Sequence, residues 1–212
     1  MTPLSPKLLR GAIISFKLPN PLPYVIAFQY NPATLQRTLE ARTAGGGDSA
    51  GEEAFRISGA PNETLKVEIE LDGTDSTASD RSGGVLAQLA ALEMLIAPST
   101  ELVIANTVLA QIGTIELLPP QAPFTLFVFG RHRILPVRIS EFSVSEDEFE
   151  PELAPIRAKV SLGLKVLTYS DLPLTHPGHH LYLAHQIAKE ALARQGTVNS
   201  LDAVLGAGQR IL

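Results

Sequence analysis

The residues best suited to chemistry are the histidines. His132, His176, His179, His180 and His185 are the five in the chain, and four of them lie within ten residues. Imidazoles are common zinc and nickel ligands, so a metal- or small-ligand-binding β-barrel using residues 176–185 is one reading. The spacing works against it. Pro177 and Gly178 break any helical i, i+4 relation between His176 and His180, and His185 falls off the face of His180. The carboxylates Glu146, Asp147, Glu148, Glu150 and Glu152 could supply an acid–base pair, but no apolar neighbours raise a pKa there and a solvated loop is expected. The run Gly45-Gly46-Gly47-Asp48-Ser49-Ala50-Gly51 lacks the flanking strand, helix and Lys-Ser/Thr pair of a phosphate loop and reads as plain loop. No Gly-x-Ser-x-Gly elbow occurs, and the absence of cysteine removes thiolate nucleophiles, thiolate zinc sites and disulfides. The expectation is a protein without catalysis, cofactor or metal.

Composition points to protein contacts instead. Seventeen Lys and Arg against 22 Asp and Glu give a net charge of −5, and no basic block marks a nucleic-acid binder. Charged residues make up 18% of the chain, below the roughly 25% of a typical soluble domain. Mean hydropathy is +0.15. A surface so poor in charge suits extensive subunit contacts. No apolar run reaches the ~20 residues of a spanning helix, and residues 12–16 are too short for an export-signal core. Cytoplasmic synthesis without membrane insertion is expected.

The elements that would carry such contacts are mostly strands. Residues 12–16 form an apolar β-prone run, and residues 24–30, apolar on both faces, read as a buried strand ended by Asn31-Pro32. Residues 33–59 lose periodicity. Leu65, Val67, Ile69 and Leu71 alternate with Lys66, Glu68 and Glu70, the pattern of a half-exposed strand. A helix capped by Ser82 and running to Ala97 would bury Val85, Leu86, Leu89, Leu92, Leu95 and Ile96. Residues 101–118 fit either a helix or two short strands. Residues 124–129 suit a central strand. The parity change from Val137 and Ile139 to Phe142 and Val144 predicts a bulge between Ser140 and Glu141. The clearest and longest strand is 156–166, with Arg157, Lys159 and Lys165 on its polar face. If it lies beside 65–71, opposite charges pair across the strands. After a linker, His179 to Gln195 reads as an amphipathic helix with Leu181, Ala184, Ala188, Ala191 and Leu192 on one stripe, followed by a short helix at 201–205.

Several segments together resemble the tube-type baseplate proteins of contractile injection systems. They are Phe28-Gln29-Tyr30-Asn31-Pro32, Pro61 with Leu65-Lys66-Val67-Glu68-Ile69-Glu70-Leu71-Asp72-Gly73-Thr74-Asp75, Leu89-Ala90-Ala91-Leu92-Glu93 with Pro98, Phe127-Val128-Phe129-Gly130 before Pro136-Val137-Arg138, and Pro155-Ile156-Arg157-Ala158-Lys159-Val160. They span most of residues 12–168, in the family's order. The resemblance implies an antiparallel barrel or sandwich of six to eight strands with one helix, assembled into a hexameric ring between a trimeric spike hub and the inner tube. Many members carry a C-terminal LysM module, and residues 171–212 have no such pattern. The helix His179 to Gln195 is expected to dock on a neighbouring baseplate subunit instead.

The expectation is a mainly β, α+β chain: a tube-like barrel over 1–170 and a linker with helices over 171–212. Its role would be to start the tube of a phage-tail-like particle, assembled in the cytoplasm and acting inside or outside the cell. The alternative within the same machine is an inner-tube subunit. Expected interface residues are Arg37, Arg42, Phe55 and Arg56 in the 36–60 loop, Arg157, Lys159 and Lys165 on the polar wall, and Leu181 and Leu192 on the helix.

Overall fold

The computed structural model describes residues 9–16, 23–43, 56–74, 84–111 and 122–196. Among these residues, seven strands form one antiparallel sheet: β1 (Ala12–Phe16), β2 (Pro23–Ala27), β3 (Leu35–Glu40), β4 (Asn62–Asp72), β5 (Phe124–Val128), β6 (Ile134–Phe149) and β7 (Pro155–Val166). Their order is β2-β1-β5-β6-β7-β4-β3. Three helices accompany them, α1 (Gly84–Glu93), α2 (Thr100–Gln111) and α3 (Pro177–Gly196). The chain is mainly β, with an α+β arrangement.

Alternation places the core. Leu65, Val67, Ile69 and Leu71 of β4 are buried with Ala158, Val160, Leu162 and Leu164 of β7, while Lys66, Glu68 and Glu70 face water. Leu135 and Val137 of β6, Phe127 of β5 and Ile13 of β1 continue the same core. Val85, Leu89 and Leu92 close over it from α1. Each such side chain contributes about 1.5–3 kcal/mol by leaving water. Because α1 packs against β2, β4 and β7, from both ends of the hydrogen-bonding order, the sheet is curled. The Gln29 side chain bridges the same gap. Its Nε2 donates to the Asp72 carbonyl at 2.8 Å and its Oε1 accepts from the Asp72 amide at 2.9 Å.

The bulge lies where the parity change predicts it. Ile139 opposes Leu164 and Glu141 opposes Gly163, which leaves Ser140 as the extra residue. Its hydroxyl donates to the Gly163 carbonyl at 3.1 Å. Opposite the bulge there is no room for a side chain: a Cβ on Gly163 would lie 2.8 Å from the Glu141 Cβ. Gly163→Ala is therefore expected to lower stability by about 2 kcal/mol, as overpacking does, read as a shifted urea midpoint.

Five expectations need correction. Residues 24–30 are not a buried strand: β2 lies at a sheet edge, with Tyr24 60% and Val25 59% exposed. Only after Ala27 does the chain turn inward, bringing Phe28 and Gln29 into the interior. The 33–59 region is not structureless throughout, since β3 pairs with β4 and Thr43 bridges Ile57. The longest strand is β6, with 16 residues, and not β7, with 12. Its ladder runs on through the bulge to Glu146 and Asp147, opposite Ala158 and Arg157, so Glu146, Asp147 and Glu148 stand on an exposed strand, while Glu150 and Glu152 lie in the turn that follows it, as expected. Finally, the helix expected to run to Ala97 ends at Glu93; within it Leu86 is exposed, and in the turn after it Leu95 is buried and Ile96 exposed. Ser82, the glycine run 45–51, Phe55 and the 201–205 helix lie outside the described residues.

The ambiguous stretch 101–118 resolves to a helix over its described part. Ser99 caps it, its hydroxyl accepting from the Leu102 amide at 3.3 Å, with Glu101 in the first turn. None of its residues is buried.

Candidate functional site

Three surfaces come out of this fold. The first is the polar face of β4, β7 and β6. Cross-strand register sets Glu70 opposite Lys159 and Asp72 opposite Arg157, as the charge pattern predicts. Arg157 reaches Asp72 at 3.1 Å and Glu148 at 3.0 Å, Lys66 reaches Glu141 at 3.4 Å, and Lys159 reaches Glu70 at 3.9 Å. A cavity of about 340 Å³ lies here, lined by Tyr30, Glu70, Asp72, Asp147, Arg157 and Lys159. Its three carboxylates stand against two cations, Arg157 and Lys159, which are ion-paired with Asp72 and Glu70. Asp72 accepts from the Thr74 hydroxyl and amide and then from Arg157, which together hold its carboxyl below the ordinary aspartate range. Such a carboxylate is a weak base, and its neighbour Arg157 is held charged by Asp72 and Glu148. The face is a self-neutralised hydrophilic wall.

The second surface is apolar. Tyr24 and Val25 on the β2 edge adjoin Ala91, Met94, Leu95 and Pro123 around a cavity of about 270 Å³. Met94 is exposed. Further along the chain, α2 presents Val103, Ile104 and Val108 to solvent. Single exposed apolar residues need no explanation. An edge strand whose outer hydrogen-bonding groups are unpaired by any described strand, flanked by apolar side chains, is a pairing template.

The third is the seam under α3. Pro177 opens the helix at its first position, and His176 caps it: the Gly178 amide donates to His176 Nδ1 at 3.1 Å. The helix packs on β6. Its buried residues are Gly178 and Tyr182, with Leu181, His185, Gln186 and Lys189 half-buried. Its anchor is Glu63, only 1% exposed, on the inward face of β4. Glu63 Oε1 accepts from Arg37 Nε at 2.6 Å, and Lys189 Nζ stands 3.9 Å from Oε2. A second tie joins Arg42 to Asp171 at 2.8 Å. Burial works to raise the Asp171 carboxyl, but hydrogen bonds from Arg42 and from the Thr168 amide and hydroxyl outweigh it and hold it low. Tyr182, shielded from water and then opposed by Glu63 and Tyr169, has its phenol pushed above the usual value.

The expected interface residues fall on different surfaces. Arg37 and Arg42 are engaged within the chain, with Glu63 in one case and with Asn62 and Asp171 in the other. Arg56 is exposed. Phe55 lies outside the described residues. Arg157 and Lys159 stand on the polar wall in their ion pairs, and Lys165 sits on the same strand opposite Thr64 and Arg138. Leu181 is half-buried in the seam, whereas Leu192 is exposed. Most of the stripe expected to meet a neighbouring subunit is thus exposed. Ala184, Ala188, Ala191 and Leu192 face water, and the face toward the sheet carries Tyr182, His185 and Lys189, whose apolar bodies end in polar tips.

Sequence reasoning missed Glu63 and Gln29. Glu63 had one signal, since it shares parity with Leu65 and so must point inward. Among the described residues, no three His, Asp or Glu side chains converge as a metal site, and no helix is long and apolar enough to cross a membrane. The chain matches no family model and no curated protein.

Proposed function

We propose that this protein is a structural ring subunit of a contractile injection system, of the tube-initiating type, acting through subunit contacts without catalysis. The observation that carries the proposal is the apolar β2 edge: Tyr24 and Val25 stand exposed beside the α1 cavity at the end of a curled sheet. A second subunit adding its own sheet edge there would pair the backbone groups that no described strand pairs and cover the apolar side chains. Exposed α2 extends the apolar surface available to neighbours. The wall of paired charges on β4, β6 and β7 suits a water-filled lumen, because it offers neither an apolar patch nor a field of one sign. The barrel-type inner-tube fold and the hexameric ring rest on the resemblance in the sequence, to which the seven-stranded antiparallel sheet adds support.

Electron microscopy of the purified chain, alone and with a trimeric spike hub protein from the same particle, tests this. Rings, or complexes with six copies on each hub trimer, are the expected result. A monomer indifferent to the hub would overturn it. The edge itself is tested by Val25→Lys. An edge lysine blocks strand addition, while a change at so exposed a position leaves monomer stability within about 0.5 kcal/mol. Ring formation is expected to be lost with an unchanged circular dichroism spectrum.

A further inference from the structure

Two helices of the chain turn largely apolar faces to solvent, and the two faces match. The helix α2 carries a single charged residue, Glu101 in its first turn, and none of its side chains is buried. Ile104, Val108 and Gln111 follow Glu101 at i+3, i+7 and i+10, so the four share one exposed stripe. On α3, the side away from the buried Tyr182 carries Ala184, Ile187, Ala191 and Arg194 at the same spacing, all exposed.

Run antiparallel, the two series coincide. Glu101 meets Arg194, Ile104 meets Ala191, Val108 meets Ile187 and Gln111 meets Ala184. An isoleucine against an alanine lets the helix axes come within about 8 Å, the close end of helix packing. Glu101 stands at a helix N-terminus and Arg194 at a helix C-terminus, where each charge also suits its own helix dipole. A pair of this kind at the rim fixes orientation and register more than affinity. A parallel pairing would set Glu101 against Ala184 and Arg194 against Gln111, with both charges facing neutral residues. Two copies of α3 run antiparallel would set Arg194 against Ala184.

The faces also lie on different sides of the strand order. The helix α2 follows α1, which packs on the edge strand β2. The helix α3 stands beside the other edge strand, β3, because its Lys189 and Arg37 of β3 hold the same Glu63 carboxylate. A chain with complementary faces at its two edges passes the contact head to tail from copy to copy, as a closed ring requires.

We propose that α2 of one copy pairs antiparallel with α3 of the next, Glu101 opposite Arg194 and Ile104 opposite Ala191. The inference rests on the ring reading for the identity of the partner, and it names the second contact, beside the β2 edge, that fastens neighbouring copies.

Cysteine cross-linking of the full chain tests this, and the chain has no cysteine of its own to interfere. Under mild oxidation the double variant Ile104→Cys, Ala191→Cys is expected to form a reducible ladder at multiples of the 22.7 kDa chain. A mixture of the two single variants should stop at one linked dimer. The displaced pair Ile104→Cys, Ala184→Cys is seven residues, or about 10 Å, out of register. It should link at least about tenfold more slowly, since a disulfide needs its Cβ atoms about 4 Å apart. Linking of either single variant by itself as fast as the pair, or equal rates for the displaced pair, would overturn the proposal. So would the absence of a link while microscopy shows rings, a result that leaves the ring reading standing. A link in the predicted register within open chains that ignore the hub would support the helix pairing and overturn the ring reading instead. A chain that neither links nor associates would overturn both.

Discussion

Arg37→Ala is expected to lower the stability of the chain by about 3 kcal/mol, the lower end of what breaking a buried ion pair does. Glu63 is almost fully enclosed, and among the described residues its Oε2 has no hydrogen-bond partner. Among the described residues, the one short contact to this carboxylate is the 2.6 Å bond from Arg37 Nε, with Lys189 at 3.9 Å. Truncating Arg37 leaves the carboxylate buried with a single distant cation. Since Lys189 belongs to α3 and Arg37 to β3, the loss should also loosen the helix from the sheet. Removing both partners is different. Arg37→Leu with Glu63→Leu replaces the pair by apolar side chains and should recover most of the loss. Thermal melts can read the difference, because 3 kcal/mol corresponds to roughly 6–12 °C in a chain of this size. A single variant that melts within 2 °C of the unaltered protein would show that the pair contributes little.

Gln29→Met should have a comparable effect for another reason. Methionine fills nearly the same volume, so the substitution isolates hydrogen bonding from packing. The Gln29 amide donates to one backbone group of Asp72 and accepts from the other, acting as a ladder rung between segments 43 residues apart. Removing it leaves an N–H and a C=O without these partners in a partly buried place, at about 1–3 kcal/mol each. A loss of about 3 kcal/mol in urea unfolding, with an unchanged slope, is the expected outcome. A loss below 1 kcal/mol would mean that water replaces the amide, and that α1 alone holds the curl of the sheet.

Legibility in the sequence followed the range of the interactions. The strands at 65–71 and 156–166, their charge pairing and the bulge near Ser140 were all readable, because each is written in side-chain alternation. The edge position of β2 was not. Tyr24, Val25 and Ile26 make both faces apolar, and periodicity cannot separate a strand buried within its own chain from an exposed edge strand. The face by which α3 packs on its own sheet was not legible, because Tyr182, His185 and Lys189 make a less apolar stripe than the alanines and leucines. Glu63 and Gln29 act over 26 and 43 residues through single side chains, a range at which local pattern carries no signal.

The most direct test of the ring assignment is the mass of the full chain in solution, by sedimentation velocity at rising concentration, with and without a hub trimer and beside Val25→Lys. A closed oligomer that collapses to the 22.7 kDa monomer in the variant is the predicted result. A chain that stays at 22.7 kDa under every condition would contradict it.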